Sequence, residues 1–373
     1  MNQPVRHGAM RARNLALVLG EVAGGGPLTR AALAELTGLT KTTVSSLVAD
    51  LLSAGLVAEA PAARAGERGR PGVEVRLSGE HVAALGLEVN VGYLAACVVD
   101  LTGTVRARRT VRADNRASRP EPVLAALHRL ADETLADVPS LRIAGAVLAV
   151  PGTVGEDRVH HAPHLGWRDV RITDLTDPIR VADRPAAVEN EANLAALGEL
   201  EFGSAPRDFL YVSGETGVGA GLVRDGGLLR GATGLAGELG HVVVADGGPA
   251  CRCGSRGCLE AYAGQDVLPG PAALAADDPG AAAACARAGR ALGLALSSAV
   301  NLLDPGAIVL GGRYVPLFPW LAPHVRAVLD ERLGALRPAP PVLLPAATGP
   351  DAAVLGAAAR VLRRVLADPA SLG

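Results

Sequence analysis

His241, Cys251, Cys253 and Cys258 place one histidine and three of the chain's five cysteines in the order H-x9-C-x-C-x4-C. Thiolates and imidazoles are soft or borderline ligands, and a Cys3His set suits tetrahedral Zn2+. Four protein ligands leave no open position for a reactive water, so such a centre would be structural. Gly254 and Gly257 allow the tight turn that brings Cys258 back towards Cys253. A disulfide, a redox pair and free thiols are the competing readings. The compartment bears on that choice. The early run LALVLGEV is short, holds Glu21 and has no small-residue cleavage site after it, so no secretory pattern is expected. No stretch approaches the roughly 18 apolar residues of a membrane helix. A cytoplasmic, reducing setting without membrane contact is the expectation, and there clustered cysteines more often bind metal than pair.

A second set of polar residues lies near the N-terminus: Thr29, then Lys41, Thr42, Thr43, Ser45 and Ser46, then Arg64, Arg68 and Arg70. Short hydroxyls and isolated cations of this kind suit phosphates and base edges. The elements that must position them are three helices and a hairpin. From Arg11 to Val22, Leu15, Val18, Leu19 and Val22 share one helical face. After GGGPLT, Thr29 caps a second helix with Leu33 and Leu36 inward, and Gly38 makes the turn. Thr40 caps a third helix whose buried stripe is Val44, Leu47, Val48, Leu51 and Leu52, leaving the polar residues outside. LVAEA and VEVRL read as strands around an arginine-bearing wing. Short helix, glycine turn and polar third helix form the winged helix-turn-helix pattern, so residues 1–80 are expected to bind double-stranded DNA. A three-helix module for protein contacts is the plainer alternative.

Composition sets the limits on the rest. Residues 1–80 carry nine Arg/Lys against seven Asp/Glu, whereas 81–373 carry 27 against 31, so no wholly basic coat exists. Lys41 is the only lysine. With aromatics at 2% and hydrophobic residues at 49%, the cores must be built from Ala, Val and Leu. Beyond residue 80, LSGEHVAALGLEVN, YLAACVVDL and TVRARRTV read as strands, followed by a helix at 120–136 and the strand IAGAVLAV. A related order recurs: DFLYVSG, VGAGLVRDG and GLLRG, then helices, AIVLGG, a helix, VLLPA and a final helix. Two α/β lobes with a cleft between them are expected. The Ala-rich stretch 271–292 should be helical, and HHAPHLGWRD (160–169) a loop.

Five motifs sharpen this: VPGTVG (150–155), VENEANLAALGE (188–199), SGETGVGAGLV (213–223), GLAGELGH (234–241) and CRCGSRGCLE (251–260). In this order and spacing they resemble the ROK family of repressors, open reading frames and sugar kinases, from about residue 81 onwards. The N-terminal module resembles the family's repressor branch. The resemblance implies an actin-like, hexokinase-like (ribonuclease H-like) α/β domain. Its first lobe would cover about 81–190 plus 351–373, and its second about 191–350. It also implies a sugar held by Asn190, Glu191, Glu238, His241 and Glu260, and a zinc site shared with family members. Carboxylates accept hydroxyl hydrogens and an amide both donates and accepts, which suits a polyol. For Glu191 the simpler role is a charge favoured at a helix start.

The same resemblance exposes three departures from the kinases. Their first phosphate loop, D-x-G-G-T-K, stands here as Glu88-V-N-V-G-Tyr93, without the paired glycines or the lysine. Their G-T-G-x-G loop begins here with Glu215, a like charge costing on the order of 4 kcal/mol beside a phosphate oxygen. Glu191 replaces the aspartate that serves as general base, displacing the carboxylate by roughly 1 Å. No ATP and no catalysis are therefore expected. The expectation is a sugar-responsive transcriptional repressor that binds its operator as a homodimer or homotetramer. An ATP-dependent sugar kinase, a bifunctional kinase-regulator and a ligand-free DNA-binding protein are the alternatives.

Overall fold

The computed structural model describes residues 7–61, 73–155, 157–172, 180–181, 184–334, 337 and 339–372. Arg64, Arg68 and Arg70, expected in the wing, lie outside the described residues.

The N-terminal module runs α1 (His7–Gly25), β1 (Leu28–Thr29), α2 (Arg30–Thr37), α3 (Lys41–Ser53), β2 (Val57–Pro61) and β3 (Val73–Leu77), with sheet order β1-β3-β2. Thr29 Oγ1 accepts from Ala32 N and Thr40 Oγ1 from Thr43 N, each at 3.2 Å, so both helix starts are capped by hydroxyls. Gly38 takes φ 69°, the left-handed turn that aims α3. Leu36 does not point inward as expected; it is 57% exposed. Leu33 is buried, and one turn on Thr37 donates its hydroxyl to Leu33 O at 2.6 Å, so the inner face never reaches Leu36. Leu39 from the turn packs against the core instead.

Two five-stranded sheets follow. The first comprises β4 (Val82–Val89), β5 (Tyr93–Asp100), β6 (Val105–Arg112), β7 (Arg142–Val150) and β13 (Ala187–Asn190), in the order β13-β7-β4-β5-β6. Every residue of β4 is buried, because α4 (Pro120–Leu135) and α10 (Ala352–Ala367) both pack on it. Between β7 and β13 lie β8 (Thr153–Val154), β9 (Arg158–Ala162) and β10 (Trp167–Arg171), a three-stranded sheet, and the short pair β11 (Arg180–Val181) and β12 (Arg184–Pro185). HHAPHLGWRD is thus largely a hairpin rather than a loop: His161 pairs with Arg168 and Ala162 with Trp167. Trp167 is buried and its indole donates to Ser118 O at 2.8 Å.

The second sheet has the order β16-β15-β14-β17-β18, from β14 (Phe209–Gly214), β15 (Val218–Arg224), β16 (Gly227–Leu228), β17 (Ala307–Gly312) and β18 (Val342–Pro345). In each sheet antiparallel pairs are extended by parallel strands, the repeat expected from the order of elements. α5 (Glu191–Phe202) covers β14 and β15 on one face. The short helices α6 (Glu260–Ala263) and α7 (Pro271–Ala275) lead to α8 (Pro279–Leu303), which packs with α9 (Tyr314–Leu333) on the other side. Asp278 caps α8, accepting from Ala281 N, so the Ala-rich stretch is two helices rather than one.

α10 joins the parts. It crosses α5 so closely that a Cβ on Gly356 would sit 1.7 Å from Leu194 O, and one on Gly198 2.1 Å from Ala352 O. It also packs against α1, and Val18, Leu19 and Val22 share one apolar core with Val361, Leu362 and Val365. No described helix is long and apolar enough to cross a membrane.

Candidate functional site

Asn190 closes β13 and caps α5, which puts it and Glu191 at the edge of the first sheet facing the β14–β15 turn. A cleft opens there, lined by Asn190, Glu191, Glu215, Glu238, His241 and Glu260 together with glycines 217 and 219. All five residues expected at a sugar therefore border one space. Asn190 Oδ1 accepts from Asn193 N at 3.1 Å, and its Nδ2 donates to Gly152 O at 2.8 Å. One lone pair and one N–H of that amide remain for a ligand.

Glu260 begins α6, and its Oε2 accepts from Val218 N at 3.1 Å. Burial pushes this carboxyl up, but the His164 ring and the Val218 N–H outweigh it and hold the group below the usual range. Glu238 lies across the cleft, where burial raises its carboxyl against the pull of nearby His241. The two acids thus differ in environment.

The far end of the cleft is acidic. Burial raises Glu191 well above the ordinary range, and Glu88 and Glu215 raise it further. Glu88 is 1% exposed and is pushed up to about 8, chiefly by burial, despite the hydroxyl of Tyr93 donating to its Oε1 at 2.6 Å. Its Oε2 is buried without a hydrogen-bond partner. Burial also raises Glu215, with Arg313 opposing. Tyr93, expected to stand where the family's kinases carry a lysine, thus sets its hydroxyl against the Glu88 carboxyl.

His241, Cys251, Cys253 and Cys258 offer ligand atoms that all lie within 4.8 Å of one another. Cys253 Sγ and Cys258 Sγ are 3.7 Å apart, as are Cys251 Sγ and His241 Nδ1. Zinc bound tetrahedrally at ~2.3 Å from each sulfur sets an S–S edge of about 3.8 Å, so the residues fit that ion. The loop closes because Gly254 and Gly257 take φ 95° and 75°. His241 turns Nδ1 to the thiols and Nε2 to Glu238 Oε2 at 3.8 Å, so one ring can serve both the metal set and the cleft.

On the N-terminal module, Lys41, Thr42, Ser45 and Ser46 are exposed along one side of α3. Thr43 is half-buried and its hydroxyl lies 2.8 Å from that of Thr40, while Thr29 is engaged as a cap. Both are partly committed to the fold. Arg11 was not anticipated: from α1 it donates to Ser46 Oγ at 3.2 Å and pairs with Asp50. His164 was missed as well, although HHAPH offers the signal. Its Nε2 is 3.9 Å from Glu260 Oε1, and Arg252 reaches its Nδ1 at 3.1 Å.

Comparison with known proteins agrees with this arrangement. The ROK family model matches residues 84–269 and 271–364, and the MarR family model matches residues 15–66. The chain is 30% identical over 376 residues to the xylose repressor of Bacillus subtilis (strain 168), covering 95% of this chain and 96% of the relative. A solved ROK family transcriptional regulator, homologous to the Escherichia coli Mlc protein, superposes with a TM-score of 0.78 at 26% identity, covering 97% of this chain and 98% of the other. The ROK hexokinase of Thermus thermophilus gives 0.63 at 30% identity, covering 76% of this chain and 99% of the other. A winged helix-turn-helix thus precedes an actin-like, hexokinase-like two-lobed domain, and the chain belongs to the ROK family.

Proposed function

We propose that this protein is a sugar-responsive, DNA-binding transcriptional repressor of carbohydrate genes. The observation that carries the reading is the union, in one chain, of a helix-turn-helix with an exposed polar α3 and a two-lobed domain whose cleft is ringed by hydroxyl-binding side chains. Its similarity along almost its whole length to a xylose repressor supports it. Residues 1–80 would contact operator DNA through Lys41, Thr42, Thr43, Ser45, Ser46, Arg68 and Arg70, with Thr29 at the edge. The cleft between a first lobe of about 81–190 plus 351–373 and a second of about 191–350 would hold the sugar. Asn190, Glu191, Glu238, His241 and Glu260 are its proposed contacts. His241, Cys251, Cys253 and Cys258 would hold a structural Zn2+, whose contribution is to fix the loop; no reactive position is left on it.

The chain works as a regulator rather than a kinase because Asn90, Val91 and Glu215 stand where the kinase loops would carry glycines, and Tyr93 where they would carry the lysine. It acts in the cytoplasm as a homodimer or homotetramer, since paired modules read paired half-sites. Selection of bound duplexes from random DNA tests the reading. A sequence should emerge that binds about 10^3-fold more tightly than bulk DNA, and a free pentose or hexose should change that affinity. ADP release with any sugar in the panel, abolished by Glu191→Gln, would instead establish the kinase.

A further inference from the structure

Glu189 is a fully buried carboxylate, one residue before Asn190, to which neither the sugar site nor the metal set assigns a role. Its Oε1 accepts from Asn190 N at 3.0 Å and from Asn193 Nδ2 at 3.3 Å. It therefore fixes the backbone of the cleft asparagine and the first turn of α5. Its Oε2 faces two guanidinium groups. Arg360, on α10, donates to it, and Arg230 Nε lies 2.9 Å away.

These two cations come from different parts of the molecule. Arg230 follows β16 of the second sheet and opens the loop that ends in Glu238 and His241. Arg360 sits on the helix that packs on β4, β5 and β7 of the first sheet and supports α1 of the N-terminal module. One buried negative charge thus joins three things: the asparagine edge of the cleft, the loop on its opposite edge, and the helix beneath the DNA-binding module. The two arms differ. Arg360 makes a directed hydrogen bond, whereas Arg230 Nε is close but not aligned with any acceptor, and its side chain is 37% exposed. The Arg230 arm is thus held by charge, without an aligned hydrogen bond from its Nε.

We propose that Glu189 is a positioning residue that couples the two edges of the cleft to α10, with Arg230 as the arm that reports lobe position and Arg360 as the arm that passes it to the DNA-binding module. This rests on the sensor reading above for its purpose, though not for its test. A ligand drawn between Asn190 and Glu238 pulls the 229–241 loop towards α5, and Arg230 moves at the root of that loop. The hold of Arg230 on Oε2 changes, and with it the share of that carboxylate left to Arg360. A shift follows only because the two loop positions differ in this contact.

Hydrogen exchange on the full chain, without sugar, tests the coupling. Arg230→Gln removes the exposed arm without burying a new charge, so folding is retained. Amides of α10 and α1 should then exchange about two- to thirtyfold faster than in the parent, the range for altered coupling between distant sites. Arg230→Lys should restore most of the protection. Arg326→Gln, which removes a hydrogen-bonded arginine of α9 away from the cleft, should leave α1 unchanged. Glu189→Gln should reproduce the Arg230→Gln pattern, with additional exchange in the first turn of α5. Changes confined to residues 225–241, or an equal effect of Arg326→Gln on α1, would overturn the proposal. Because no ligand is present, that failure is separate from a failure of any sugar to alter DNA binding.

Discussion

Side chains in and behind the cleft make their consequences measurable one at a time. Glu88 is held up to about 8 mainly by burial. Glu215 and Asp351 add to that, while Tyr93 and Asn90 oppose it. The folded chain keeps a proton that the unfolded chain releases near 4.5, so this contribution is complete below 4.5 and lost as pH rises to about 8. Glu88→Gln keeps a neutral acceptor for Tyr93. In urea titrations it should be more stable than the parent by on the order of 4–5 kcal/mol at pH 8.5 and close to it at pH 4. An equal difference at both pH values would assign the titration elsewhere. Glu238→Gln should weaken sugar binding about tenfold or more by calorimetry while leaving DNA affinity intact. Cys253→Ser should lose zinc by metal analysis and sugar response together; unchanged metal content would refute the ligand set. The cysteine set could be read from type and spacing, and Glu238 only from the family resemblance. Glu189 could not, because its role arises from a partner distant in sequence, Arg360; for His164 the histidine run HHAPH was a signal, but its partner Glu260 lies 96 positions on.

Among the elements, the crossing of α5 and α10 sets the tightest demand. Gly356 admits no side chain against Leu194 O, so Gly356→Ala should destabilise the chain by about 1–3 kcal/mol, read as a lower denaturant midpoint. A substitution absorbed without loss would mean that the two helices can separate freely. The capped helices α2 and α3 and, β13 apart, the strands of both five-stranded sheets were legible because hydroxyl caps, glycine turns and apolar runs are local signals. Leu36 misled because two apolar residues three apart fit an inward stripe, yet an eight-residue helix buries only Leu33 there. The β9–β10 hairpin was hidden because its anchor, Trp167 on Ser118, spans 49 positions. The α5–α10 crossing was likewise invisible: a glycine in an Ala-rich helix looks like composition until its neighbour is seen.

At the scale of the whole molecule, the polar side of α3 and the cleft lie at opposite ends of a path through α1, α10 and α5. Lys41→Ala should lower DNA affinity for all sequences and reduce the slope of log affinity against log salt by about one, measured by anisotropy at several salt concentrations. An unchanged slope would remove Lys41 from the phosphate contacts. The apolar core that runs from Val18 and Val22 into Val361 and Leu372 has a further consequence. A module tethered by a bare linker would show its own melting endotherm and survive limited proteolysis as a fragment. Here the N-terminal module lends its apolar face to the neighbouring lobe. Calorimetry should therefore show its heat absorption merged with that of the first lobe. Cleavage near residue 80 should yield a sticky, aggregation-prone piece instead of a stable reader of DNA.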